Sequence, residues 1–175
     1  IDDGIAGKNS GLPMGFSRLN RYIGIRKRIY TLVFGATGSG KSSFVHDAYI
    51  LNPFDWYISS ANPGNVKFKI LLFSMERSKV YIMAKWISRK IFLESGENIP
   101  VAKMLGWWND KLTPVEKSLV LKYKEYIELL ENEVLDVYEG SRSPSDIRRI
   151  VKMYAAANGK EEPINEFKTI YTPNH

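Results

Sequence analysis

The chain has 175 residues, 44% of them hydrophobic and 25% charged, which suits one globular domain with a sizeable core. It has no cysteine and two histidines, His46 and His175, which excludes disulfides, thiolate metal sites and histidine metal clusters. Lysine and arginine number 25 against 19 acidic residues, a formal charge of +6 that suits an anionic partner such as nucleic acid without identifying one.

No apolar run approaches the ~18 residues of a membrane span. The opening Ile1-Asp2-Asp3-Gly4 has neither a methionine nor a signal-peptide pattern. The chain is therefore expected to be cut from a longer, cytoplasmic protein.

Residues 1–27 form a glycine-rich, basic lead-in without sustained periodicity. Arg28-Ile29-Tyr30-Thr31-Leu32-Val33-Phe34 has the composition of a buried first strand. Gly35-Ala36-Thr37-Gly38-Ser39-Gly40-Lys41-Ser42 follows and fits G-x-x-x-x-G-K-[ST] at every fixed position. A helix is predicted to start near Lys41 and run through Ser43 to Leu51, with Pro53 stopping it. Residues 53–66, rich in Pro, Ser, Asn and Gly, read as a surface loop whose Trp56, Tyr57 and Ile58 pack on the body.

A second strand is predicted over Phe68–Phe73, then a helix over about 79–93. Its apolar stripe is Val80, Met83, Ala84, Ile87 and Ile91. Ser95-Gly96 breaks this helix, and Pro100–Gly106 has room for a short one. Thr113, Pro114 and Glu116 spell a capped start for a long helix ending near Asn132, with its stripe at Val115, Leu119, Tyr123, Tyr126 and Leu130. Val134–Tyr138 reads as a third strand. Ser143-Pro144-Ser145-Asp146 opens a last helix that ends near Asn158-Gly159. The polar tail 160–175 carries no firm element. Strands alternating with helices predict an α/β domain with a mainly parallel sheet flanked by helices.

The glycine-rich loop carries the chemistry. Gly35, Gly38 and Gly40 permit backbone conformations closed to residues with a Cβ, so that successive amides, those of Ala36, Thr37 and Ser39 among them, can turn toward one anion. The helix beyond adds the positive end of its dipole and the unpaired amides of its first turn, around Ser42 and Ser43. The motif assigns Lys41 to the β- and γ-phosphates and the Ser42 hydroxyl to Mg²⁺. ATP with Mg²⁺ is the expected ligand.

Two further segments narrow the class. Gly11-Leu12-Pro13-Met14-Gly15-Phe16-Ser17-Arg18-Leu19-Asn20 precedes the loop, and Phe73-Ser74-Met75-Glu76-Arg77-Ser78 follows the second strand. With the loop between them, they resemble the RecA-like ATPase domain of DnaB-family replicative helicases. That family shows G-x-P-[TS]-G-[FW]-x-x-L-D, a phosphate loop and F-S-L-E-M-S in this order. The resemblance covers residues 11–158 and implies a RecA-like P-loop NTPase core, incomplete at the C-terminus. On it, 1–27 is a lead-in, 28–158 the N-terminal part of the ATPase domain, and 159–175 a connection toward a missing Walker B strand.

The resemblance implies that Glu76 polarises the attacking water. It also implies a homo-oligomeric ring, a hexamer, acting on single-stranded DNA through segments mostly outside this chain, in a bacterial cell or a phage-infected host. Four positions depart from the pattern. Asn20 stands for the usual Asp, Met75 for Leu and Arg77 for Met, and the Gly-Gly turn shrinks to Gly24. With no Walker B strand or arginine finger, the chain alone is expected to bind ATP weakly and to unwind no DNA. Two alternatives share the loop: a RecA- or KaiC-like ATPase of recombination type, and a non-catalytic nucleotide-binding module. The basic clusters Arg18, Arg21, Arg26, Lys27, Arg28 and Arg148, Arg149, Lys152 are candidate phosphate contacts, or solvated surface.

Overall fold

The computed structural model describes residues 11–26, 29–59, 61–62, 66–165 and 168–173. The opening of the lead-in, Lys27 and Arg28 of the first basic cluster, and Ser60, Pro63, Gly64 and Asn65 of the expected loop lie outside the described residues. The chain forms two compact units, Ile1–Phe68 and Lys69–His175.

In the first unit the lead-in closes on itself. Leu12 and Ile25 exchange backbone hydrogen bonds of 2.9 and 3.0 Å, and a 3₁₀ turn, Leu19–Arg21, lies between them. Helix α1 (Lys41–His46) runs into a π-turn (Asp47–Leu51) and on into α2 (Asn52–Tyr57). Ala48, Ile50, Leu51 and Phe54 of this continuous rod, with Met14 from the lead-in, form the buried core.

Two expectations fail in this unit. The first is the strand over 28–34. Ile29–Phe34 pairs with no strand among the described residues, and Ile29, Tyr30, Leu32 and Phe34 are exposed, Tyr30 by 86%. An apolar run becomes a strand only when a neighbouring strand takes its amides and carbonyls, and here none does. The second is the stop at Pro53. Asn52 N–H bonds the Asp47 carbonyl five residues back. The widened turn places the proline at the start of α2, where its missing N–H is harmless. Trp56 and Tyr57 are therefore helical, and Tyr57 meets the Phe68 ring edge-on at 5.5 Å.

The second unit contains the parallel sheet. β1 (Ile70–Ser74) pairs with β2 (Leu135–Glu139) in register from Ile70 opposite Leu135 to Ser74 opposite Glu139. The intervening crossover carries α3 (Lys79–Ser95), α4 (Val101–Met104) and α5 (Pro114–Glu133). Helix α3 packs on α5, α4 and β2. Gly96, at φ 75°, ends α3 in the left-handed conformation that glycine adopts without strain. Its buried face is Ile82, Met83, Ala84, Trp86, Ile87 and Ile91. Val80, expected on the stripe, is 64% exposed, and Val115 at the start of α5 is 72% exposed. Both stand in the first turn of their helices. On α5 the buried residues are Tyr123, Ile127 and Leu130; Leu119 and Tyr126 are half-buried.

Helix α6 (Pro144–Asn158) follows β2 and passes into an antiparallel hairpin, β3 (Gly159–Asn165) with β4 (Lys168–Pro173). The fold is thus α/β with a small parallel two-stranded sheet flanked by helices, and the hairpin is a separate sheet. Among the described residues no helix is long and apolar enough to cross a membrane.

Both capping boxes form as the sequence spells them. Thr113 N–H donates to Glu116 Oε2 at 2.7 Å while Glu116 N–H donates to Thr113 Oγ1 at 3.3 Å. Ser143 and Asp146 repeat the pattern on α6. Lys103 Nζ adds a 2.7 Å ion pair to Glu116. That ammonium first, and the Thr113 amide next, lower the Glu116 carboxyl from 4.5 to about 2. A carboxyl whose pKa is lowered by folding stabilises the fold above its unfolded value, and that stability is lost as pH falls through the folded one. The Glu116→Gln protein is therefore expected to melt below wild type near neutrality, with the gap closing between pH 4.5 and about 2. Thermal melts across that window test this. A constant gap would assign the effect to packing.

Candidate phosphate-binding site

Gly35 to Gly40 form an exposed loop ahead of α1. Its closing hydrogen bond runs from Ser39 N–H to the Ala36 carbonyl at 3.2 Å. Gly38 at φ 78° and Gly40 at φ 85° hold left-handed conformations, with open space where a Cβ would stand. Backbone conformation, not crowding, requires glycine at both. Gly35 differs: a Cβ there would lie 2.9 Å from Ser39 Oγ. Gly40 also accepts the first helical hydrogen bond, from Phe44 N–H at 2.9 Å, so that the loop passes directly into α1.

Lys41 opens that helix and folds back over the loop. Its Nζ donates to the Gly35 carbonyl at 2.9 Å and to the Ala36 carbonyl at 2.7 Å. An ammonium group thus rests on neutral acceptors at the mouth of a turn bordered by first-turn amides without intrahelical acceptors. Ser42 and Ser43 are exposed beside it. Among the described residues no cluster of three or more acidic or histidine side chains could hold a metal ion. A magnesium ion here would depend on Ser42 Oγ, phosphate oxygens and water, which is how this ion usually enters phosphate sites.

The lead-in holds the helix behind the loop. Asn52 Nδ2 donates to the Met14 carbonyl at 2.8 Å, and Met14 N–H donates to Asn20 Oδ1 at 2.9 Å. Gly15 sits so close to Asn52 that a Cβ would fall 2.2 Å from Nδ2. Phe16 stacks on Phe44 of α1 with ring centroids 5.5 Å apart. The neutral Asn20 amide thus accepts the lead-in amide without a carboxylate. Asn52 carried no sequence signal, because its partner lies 38 residues away.

Glu76 belongs to the second unit, in the bend between β1 and α3, and is exposed. It is not the cap of α3. Ser78 Oγ accepts from Tyr81 N–H at 3.3 Å, and Lys79 N–H donates to the Glu139 carboxylate. Those two groups occupy the capping role that would otherwise account for an acid at this position. Ser74 Oγ donates to the Arg77 carbonyl at 2.6 Å and fixes the bend that carries Glu76. The glycine-rich loop and Glu76 thus belong to separate units.

Of the basic clusters, Arg18, Arg21 and Arg26 are exposed, as are Arg148, Arg149 and Lys152. Arg149 pairs with Asp146 at 3.3 Å. No protein-family model, curated protein or solved structure matches the chain.

Proposed function

We propose that the chain binds the triphosphate of ATP with Mg²⁺ at Gly35–Ser43, as the nucleotide-binding part of an ATP-driven DNA-unwinding motor. The observation that carries the nucleotide reading is Lys41. Its ammonium is held at the loop mouth on two carbonyls, beside Gly38 and Gly40 in left-handed conformations. A phosphate oxygen competes well with those carbonyls, because hydrogen bonds between ionised partners are roughly twice as strong as neutral ones. The bound metal would supply charge neutralisation at the β- and γ-phosphates. The residues of this chain grip the phosphates and offer Ser42 Oγ to the ion.

The finer reading, a DnaB-like helicase subunit acting as a ring on single-stranded DNA, rests on the ordered trio of lead-in, phosphate loop and Ser74-x-Glu76. In it Glu76 accepts a proton from the attacking water. The Glu76→Gln variant of the full-length protein is then expected to keep ATP binding while losing DNA-stimulated hydrolysis by about a hundredfold or more. Phosphate release with and without single-stranded DNA, beside nucleotide titration, measures both. Turnover at the wild-type rate would remove Glu76 from the chemistry. A forked-DNA unwinding assay against a strand-exchange assay separates a helicase from a RecA- or KaiC-like ATPase. A second reading, a nucleotide-binding module without catalysis, draws support from Ile29–Phe34, which forms no strand behind the loop.

A further inference from the structure

We propose that Asn52 and Asn20 are positioning residues for triphosphate binding. Through the backbone of Met14 they clamp the lead-in onto the rod of α1, π-turn and α2, and the affinity of Gly35–Ser43 for a triphosphate depends on that clamp. This role rests on the nucleotide reading above and adds a point of control to it.

The clamp starts from Met14. Its side chain is 1% exposed, and backbone groups beside so buried a side chain need partners within the protein. Met14 lies in no helix or strand, so no regular ladder supplies them. Both come from side-chain amides. Asn20 Oδ1 accepts from Met14 N–H at 2.9 Å, and Asn52 Nδ2 donates to the Met14 carbonyl at 2.8 Å. Asn20 is local to the lead-in, whereas Asn52 stands on the rod 38 residues later. Gly15 closes the contact. At φ 78° it turns its missing side chain toward Asn52, where a Cβ would lie 2.2 Å from Nδ2.

A second grip lies nearer the loop. Phe16 stacks on Phe44 with ring centroids 5.5 Å apart. Phe44 N–H donates to the Gly40 carbonyl at 2.9 Å, the hydrogen bond that joins the glycine-rich loop to α1. Asn52 marks the far side, where its own N–H bonds the Asp47 carbonyl. The lead-in therefore holds the rod on both sides of the π-turn Asp47–Leu51. A π-turn is a local widening of the helical ladder and a place where helices bend. Held on both sides of it, α1 keeps one direction, and with it Lys41 and the first-turn amides. Lead-in, loop and rod all belong to the first unit. Opening the clamp removes no group that would touch phosphate, but those groups lose their preset aim, and preorganisation is worth affinity. Linkage is reciprocal, so a triphosphate that needs the aim tightens the clamp in return.

The test combines calorimetry of Mg-ATP and Mg-tripolyphosphate with trypsin digestion at the exposed Arg18 and Arg21, all on the full chain. Asn52→Ala is expected to weaken both ligands by the same factor, about tenfold, the worth of one lost hydrogen bond. Gly15→Ala crowds the same contact without altering the rod. It is expected to match that loss, and it keeps the test decisive if Asn52→Ala fails to fold. Asn20→Ala is expected to weaken binding as well, while Asn20→Asp, which keeps an acceptor for the Met14 amide, restores it. Saturating Mg-ATP is expected to slow cleavage after Arg18 and Arg21 several-fold in the wild type and to leave it unchanged in Asn52→Ala. A merely structural tie would not make that cleavage depend on the ligand. Wild-type cleavage indifferent to bound Mg-ATP, or wild-type affinity in folded Asn52→Ala and Gly15→Ala proteins, overturns the proposal and leaves the nucleotide reading standing. A wild-type chain that binds neither ligand overturns both.

Discussion

Replacing Lys41 by alanine is expected to weaken Mg-ATP binding by about ten- to a hundredfold. That is the worth of one hydrogen bond to a charged group, about 1.5–3 kcal/mol. The fold should be unaffected. The lysine's partners are the Gly35 and Ala36 carbonyls of an exposed loop, and carbonyls on the surface exchange an ammonium for water at little cost. Nucleotide binding would lose more, because the triphosphate is the one partner that uses the full charge of the side chain. Isothermal calorimetry of both proteins with Mg-ATP measures the difference, and Lys41→Arg is an informative companion. It keeps the charge but replaces a compact ammonium by a planar fork that does not fit the two-carbonyl perch. Equal affinities for wild type and Lys41→Ala would remove the phosphate reading, and the motor reading with it.

What was legible in the sequence was legible because its causes are local. Thr113 with Glu116 and Ser143 with Asp146 cap their helices across three residues, and Gly96 ends α3 by its own φ. The backbone of the glycine-rich loop belongs to the same group. Gly38 and Gly40 take the conformations for which the motif needs glycine, and Lys41 reaches back only as far as Gly35. The failures left no readable pattern in the sequence. Ile29–Phe34 has strand composition but finds no ladder. Pro53 reads as a stop only if the preceding turn is α-helical, and a π-turn is invisible in apolar spacing. The β3–β4 hairpin spans a polar segment with no alternation to announce it.

The site divides along the same line. The glycines that shape the loop and the lysine that folds over it could be read from the motif. Asn52, which ties the π-turn to the lead-in, and Glu139, which serves the start of α3 from the end of β2, were found only in three dimensions, because their partners lie 38 and 60 residues away. Both act on the frame of a motif and not on a ligand. The motif thus names the groups that would touch phosphate, while the groups that hold the motif in place come from whichever distant element packs against it. In this chain those elements include a lead-in that the motif does not contain.

The largest effect on stability is expected at Trp86. The resemblance and the stripe both pass over it, yet its side chain is 2% exposed at the middle of α3, the helix that packs on α5, α4 and β2. Trp86→Ala removes the bulkiest of the helix's buried side chains and leaves a cavity. Substitutions of this kind cost about 3–5 kcal/mol. A domain's whole stability is only about 5–15 kcal/mol, so the melting temperature should fall by about 15–25 °C. Val80→Ala on the same helix is the control. With that side chain 64% exposed, its effect should stay within about 0.5 kcal/mol. Thermal unfolding followed by circular dichroism compares the two directly. The face of α3 assigned to the core would be wrong if Val80→Ala proved the costlier change. A Trp86→Ala protein that melts with wild type would mean that the helix does not close the core of the second unit.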